Sequence, residues 1–141
     1  MTDIQAAIGL EQLKKLDAIL ARRRELAANY THLFSDCSEI ATHPVGVLDS
    51  ALAWMFYPVL VSNRDRVAAD LKAAGIDTRI AYAMPTYQQP CVVDKYLELK
   101  VHCERAEYIC AHVLNLPMFH DMSEAQQRRV ADEIKKSIGS L

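Results

Sequence analysis

The stretch His-Cys-Glu-Arg-Ala-Glu-Tyr-Ile-Cys-Ala-His gathers His102, Cys103, Cys110 and His112, side-chain types that ligate zinc. On a helix, Cys103 and Cys110 stand about 10 Å apart along the axis, whereas each thiolate must sit about 2.3 Å from a shared ion. The spacing points away from a metal, and Cys110 is expected to be a buried, inert thiol. Arg22, Arg23 and Arg24 could pair with phosphate, but consecutive helical positions fan over about 200° and read as a solvated face. His32, His43 and His120 have no Ser, Cys or Asp at a spacing that suggests a hydrolytic triad. The four glycines are dispersed, so there is no glycine-rich phosphate loop.

The stretch Arg-Ile-Ala-Tyr-Ala-Met-Pro-Thr-Tyr-Gln-Gln-Pro, residues 79–90, is the better candidate site. Arg79 can fork onto a phosphate or carboxylate, and Tyr82 or Tyr87 can stack on a base or sugar while donating a hydroxyl. Gln88 and Gln89 add amides. Pro85 and Pro90 favour a stiff, extended loop between them, and a stiff loop after a strand is a common carrier of binding groups.

These residues need elements to hold them. Thr2 followed by Gln5 is a capping-box pattern, and Ile4, Ile8, Leu13, Leu16, Leu20, Ala27, Tyr30 and Phe34 keep mostly helical spacing. The simplest reading is one helix to about Phe34, bent near Gly9. Such a helix spans roughly 50 Å, longer than a compact unit with a radius of gyration of about 14 Å. Its first turns should overhang and expose Ile4, Ala7, Ile8 and Leu10 to a partner. Residues 37–50 read as a connector. Trp54 to Val61 read as a strand with Pro58 marking an edge or bulge. Ser62 and Asp65 signal a helix that Gly75 ends in the left-handed conformation. Asp77 to Met84 read as a second strand and Leu114 to Phe119 as a short third. Between them, residues 91–100 are ambiguous and 104–114 form a helix with Ala106, Ile109, Cys110 and Val113 inward. Ser123 with Gln126 caps a last helix whose Val130, Ile134 and Ile138 share a face. The fold class expected is α+β: a long N-terminal helix (residues 1–36), then a small α+β domain (37–141) with a mostly antiparallel sheet of about three strands.

Composition sets the outer limits. At 141 residues, with 51% hydrophobic and 24% charged residues, the chain reads as one soluble globular unit. A net charge of -2 supplies no general attraction to nucleic acid or anionic lipid. No apolar run approaches the roughly 18 to 20 residues of a bilayer span. Four cysteines without a CxxC pair fit free thiols in a reducing, cytoplasmic setting.

Taken in order, several segments resemble the C-terminal small domain of the DegT/DnrJ/StrS family of PLP-dependent nucleotide-sugar aminotransferases, of fold-type I. MTDIQAAIGLEQLKKLD and RRRELAANY resemble the family's passage from large to small domain. YPVLVSNRDRVAADLKAAGIDTRIAY resembles its strand, Arg-Asp-started helix and Gly-Ile turn. MPTYQQP resembles its P-L-H-x-Q-P loop, and AEYICAHVLNLPMFHDMSEAQQRRV its closing helix, L-x-L-P strand and final helix. Tyr82, Pro85, Gln89 and Pro90 agree with the loop pattern, while Ala81 and Tyr87 stand where many members carry His.

The resemblance implies a small domain that closes over a PLP site built mainly by a preceding large domain. That large domain supplies the Schiff-base lysine and the acidic partner of the pyridinium nitrogen, and no lysine here matches that lysine. No cofactor is expected on this chain alone, and it is not expected to transaminate by itself. Arg79, Tyr82, Tyr87 and Gln89 are the expected substrate contacts, of which Tyr82 and Gln89 also match the family's loop pattern. Ile4, Ala7, Ile8 and Leu10 would face the large domain or, without it, a second copy in a homo-oligomer. A stand-alone binding module for a nucleotide sugar or protein partner is the rival reading, and a truncated relic a third.

Overall fold

The computed structural model describes residues 1–42, 52–95 and 101–139. Helix α1 (Asp3–Leu13) opens with the reciprocal cap expected from sequence: Gln5 N donates to Thr2 Oγ1 at 3.3 Å and Thr2 N to Gln5 Oε1 at 2.9 Å. It buries none of its side chains. Ile4 is 75% exposed, Ile8 59% and Leu10 61%, and Ala7 is exposed as well.

The single long helix is in fact two. At Lys15 the N–H donates to Gln12 O at 3.0 Å, an i→i−3 bond that tightens the turn, and α2 (Leu16–Leu33) follows. Gly9, the expected bend, lies inside α1. The two halves have different surroundings: α2 sinks Leu26, Ala27 and Tyr30 into the core, while α1 touches no interior that would keep the two axes in line.

The sheet is antiparallel, in the order β1 (Ala41–Thr42), β2 (Tyr57–Leu60), β3 (Val113–Leu116). β1 lies inside the stretch read as a connector, where two residues are too few for a period to show. Residues 43–50 of that stretch, His43 among them, fall outside the described residues, as do 96–100 of the stretch left ambiguous. Pro58 is in the central strand, not at an edge. Val61 N donates to His112 O, so strand alternation points the N–H groups of Val59 and Tyr57 at β3 and the Pro58 nitrogen at the β1 side. There the described part of β1 ends at Thr42, opposite Val59, so the missing donor interrupts no described pair.

Helix α3 (Arg64–Ala73) starts without the expected Ser62 and Asp65 cap. Asn63 precedes it at φ 52°, with no side-chain capping bond, a left-handed position that Asn tolerates better than most residues. Its end is as expected: Gly75 has φ 74°, and Ile76 N returns to Leu71 O at 2.9 Å. The expected second strand shrinks to one bridge, Arg79 opposite Asn115, because the chain turns away from β3 after that pair. The loop beyond is wound rather than extended, with a 3-10 turn at Thr86–Gln88 and a short α4 (Pro90–Val93). Pro90 takes the first helical position, where its lacking N–H costs nothing.

Helix α5 (Glu104–His112) buries none of its side chains. Ile109, expected inward, is 42% exposed, and Ala106, Cys110 and Val113 are only half-buried. The helix is gripped at its ends instead: the buried Arg64 side chain donates to Cys110 O at its C-terminal end, where the unsatisfied carbonyls attract a cation. Helix α6 (Glu124–Gly139) has the Ser123 and Gln126 reciprocal cap and buries Val130, Ile134 and Ile138.

One apolar cluster joins these pieces. Tyr57, Val59 and Val61 alternate inward from β2 and its end, Leu114 and Leu116 from β3, with Leu26, Tyr30 and Phe34 above them and Val67, Leu71 and Ile134 beside. Tyr30 stacks on Tyr57 at 5.1 Å between centroids, and its hydroxyl donates to Pro117 O at 3.0 Å. Truncating a fully enclosed aliphatic side chain leaves a cavity. Ile134→Ala is therefore expected to lower unfolding free energy by about 2–5 kcal/mol, read as a fall in the urea midpoint at unchanged slope.

Candidate functional site

The structure divides the expected site residues between two places. Arg79 sits where the turn after α3 meets β3. Its N–H donates to Asn115 O at 3.0 Å and its carbonyl accepts Asn115 N–H at 2.9 Å, while Asn115 Nδ2 donates to the same carbonyl at 2.9 Å. The guanidinium rides over the Phe56 ring at 5.6 Å, a cation–π contact. Beside it opens a groove of about 500 Å³, whose polar lining includes Arg79, Asp77, Asn115, Gln126 and Arg129. Arg129 Nη2 donates to Ala74 O at 2.6 Å, which fixes the side chain at the groove's rim. Phe119 and Met118 supply apolar wall. The groove thus joins two cationic forks to a flat apolar surface, a combination suited to an anion carried on a ring.

Tyr82, Tyr87 and Gln89 do not line this groove. Tyr82 is exposed, Gln88 is exposed and Gln89 half-buried. Tyr87 is turned towards α5, where its hydroxyl donates to Glu107 Oε1 at 2.6 Å and accepts Cys103 N–H at 3.0 Å. His102 Nδ1 meets the same carboxylate oxygen at 2.9 Å. The Tyr87 hydrogen bond, chiefly, holds the Glu107 carboxyl below its usual range against partial desolvation, with His102 adding to it. Desolvation, then the bond to Glu107, pushes the Tyr87 phenol up.

The arginine run is not a solvated face. Arg22 donates to Met122 O at 2.7 Å and His120 O at 3.2 Å, Arg23 donates to Trp54 O at 2.6 Å, and all of Arg22, Arg23 and Arg24 are half-buried. The Nε of Arg24 is buried with no hydrogen-bond partner among the described residues. They lie along the flank of α2 where returning loops present carbonyls, and a guanidinium can cover apolar surface while its fork reaches those acceptors. The four thiols are free, and among the described residues no three His, Cys, Asp or Glu side chains converge as a metal site would require.

Phe56, Asn115, Arg129 and Glu107 were not singled out from sequence. Asn115 carried a signal, a lone amide between leucines in a strand, where a polar side chain needs a partner. Glu107 carried none, because its partner Tyr87 is reached only through the fold.

Among known proteins, the model of the DegT/DnrJ/EryC1/StrS aminotransferase family matches residues 1–135. The dTDP-4-dehydro-2,3,6-trideoxy-D-glucose 4-aminotransferase of Saccharopolyspora spinosa is 32% identical over 142 residues, covering 96% of this chain and 34% of the relative. The 3-oxo-glucose-6-phosphate:glutamate aminotransferase of Bacillus subtilis is 31% identical over 149 residues, covering 99% and 33%. A DegT DnrJ EryC1 StrS aminotransferase from Brucella abortus superposes with a TM-score of 0.78 at 30% identity, over 96% of this chain and 35% of that one. The aminotransferase TlmJ from Streptoalloteichus hindustanus gives a TM-score of 0.85 at 25% identity, over 98% and 36%. The chain spans about a third of the length of the relatives it matches.

The Glu107 contacts set a pH dependence whose sign follows from its lowered pKa. A carboxyl stabilised in its ionised form adds stability above its unfolded value, near about 4.3, and loses it as pH falls through the folded value. Urea unfolding followed below about pH 5 is expected to show a shallower loss of stability in Glu107→Gln than in the parent chain.

Proposed function

This chain belongs to the DegT/DnrJ/EryC1/StrS aminotransferase family, and from that premise we propose that it serves as the small domain of a PLP-dependent nucleotide-sugar aminotransferase. In this reading a large domain holds the cofactor, and the present residues supply the wall that grips the sugar nucleotide and shuts over it. Bound PLP supplies the electron sink for amino transfer. The residues described here do not fit it unaided, because holding it takes a lysine amine and no lysine lines the groove. The chain's own part is binding and positioning.

The observation that carries this reading is the chemistry on offer. Groove and loop present guanidinium, phenol and amide groups, which suit a phosphate, a ring face and sugar hydroxyls, and no amine. Arg79 takes phosphate, Tyr82 and Tyr87 flank the ring, and Gln89 meets hydroxyls. The exposed Ile4, Ala7, Ile8 and Leu10 of α1 form the surface that meets a large domain or a second copy of this chain. The size of the groove favours one rival, a stand-alone binding module, since about 500 Å³ lies within the roughly 300–1,000 Å³ of small-molecule sites.

Mixed with PLP, an amino donor and a keto sugar nucleotide, the chain alone is expected to give no turnover, and to gain it when a family large domain is added. A gain of several degrees in Tm with a nucleotide sugar alone, and no turnover on adding the large domain, would favour the binding module instead. Light scattering at rising concentration is expected to show self-association that Ile8→Glu abolishes; a strict monomer at high concentration would count against α1 as a contact surface.

A further inference from the structure

Tyr87 has one hydroxyl proton, and its direction decides what the loop can do. The phenol donates to Glu107 Oε1 at 2.6 Å and accepts the Cys103 N–H at 3.0 Å. A carboxylate is an acceptor only and a phenol carries a single donor. That proton is therefore committed, and a ligand arriving at Tyr87 finds a ring and an acceptor but no donor. The donors that remain on residues 82–90 are the Thr86 hydroxyl, the amides of Gln88 and Gln89 and the phenol of Tyr82, which is 72% exposed.

The turn that carries Gln88 and Gln89 is too short to hold itself. Its 3-10 segment has three residues and α4 has four, lengths at which helical structure depends on outside contacts. Two anchors are on view: Pro85, which is buried, and Tyr87, whose phenol meets the start of α5. The groups facing Glu107 are Tyr87 from the loop and His102 with the Cys103 N–H ahead of the helix. All of them donate to it.

We propose that Glu107 is a positioning residue for the substrate-facing loop: its carboxylate pins Tyr87, and the pinned ring holds Gln88 and Gln89 in the arrangement that meets a sugar nucleotide. The substrate half rests on the small-domain reading above, and the pinning does not. Tyr87 is on this account an anchor that shapes the site, with its hydroxyl turned inward.

A double-mutant cycle on the full 141-residue chain tests it. In Glu107→Gln, hydrogen exchange of the 86–93 amides is expected to rise by at least about threefold while that of α6 is unchanged. Tyr87→Phe is expected to give a similar rise, and the double variant no further rise, because both act on one contact, Glu107→Gln by taking away the carboxylate's charge and Tyr87→Phe by taking away the hydroxyl. NMR of ring-labelled tyrosine gives a second readout: the high-pH titration of Tyr87 should move back towards the ordinary phenol range in Glu107→Gln. Additive effects, or loop exchange unchanged in both variants, would overturn the pinning. With dTDP-glucose as the probe, the thermal shift of the parent chain should be smaller in Glu107→Gln. An equal shift in both chains would overturn the positioning role. No shift in either chain overturns the substrate half and leaves the small-domain reading to the turnover test, while the exchange cycle still decides the pinning.

Discussion

The buried face of a very small sheet governs this fold. Strands of two, four and four residues make no stable sheet in water unless an apolar face is covered. Here the cover comes from both ends of the chain, Leu26, Tyr30 and Phe34 from α2 and Val130, Ile134 and Ile138 from α6. Once Leu114 and Leu116 are drawn under that cover, Asn115 between them must face the other way, and its amide and main chain together hold Arg79. The placement of the groove's guanidinium is thus a by-product of strand alternation.

Arginine does much of the remaining joinery, mainly by catching carbonyls. Arg22 and Arg23 hold the loops at Met122 and Trp54, Arg64 the end of α5, Arg66 the Ser137 carbonyl at 2.6 Å, and Arg129 the end of α3. A fork that satisfies a main-chain acceptor removes a desolvation cost that a small core could not otherwise offset. The same habit ties down two of the three positive residues in the run on α2, Arg22 and Arg23. Arg79 differs from these, since its guanidinium is set over Phe56 at the groove.

Legibility tracked the range of the interactions. Elements bounded by local chemistry could be read directly: the Thr2 and Gln5 cap, the Ser123 and Gln126 cap, and Gly75 closing its helix all depend on residues within a turn or so of one another. The α+β class and the inward face of α6 were legible for the same reason. The break at Lys14 and Lys15 was not, because neither residue is a breaker and the cause lies in what each half of the helix touches. Nor was the fate of Arg22, whose acceptor is 100 residues away. In the loop, the two prolines suggested an extended path, yet Pro90 also suits the first position of a helix, and the tertiary anchor at Tyr87 decided between them.

The span between partners also governs how the protein is born. Leu26 O waits for Gln127, 101 residues later, and the Tyr30 hydroxyl for Pro117, 87 residues later. At about 5–20 residues per second on the ribosome, roughly 5 to 20 seconds pass between synthesis of α2 and of the segment that covers it. During that interval Leu26, Tyr30 and Phe34 have no native lid, and α2 carries an uncovered apolar face until α6 leaves the exit tunnel.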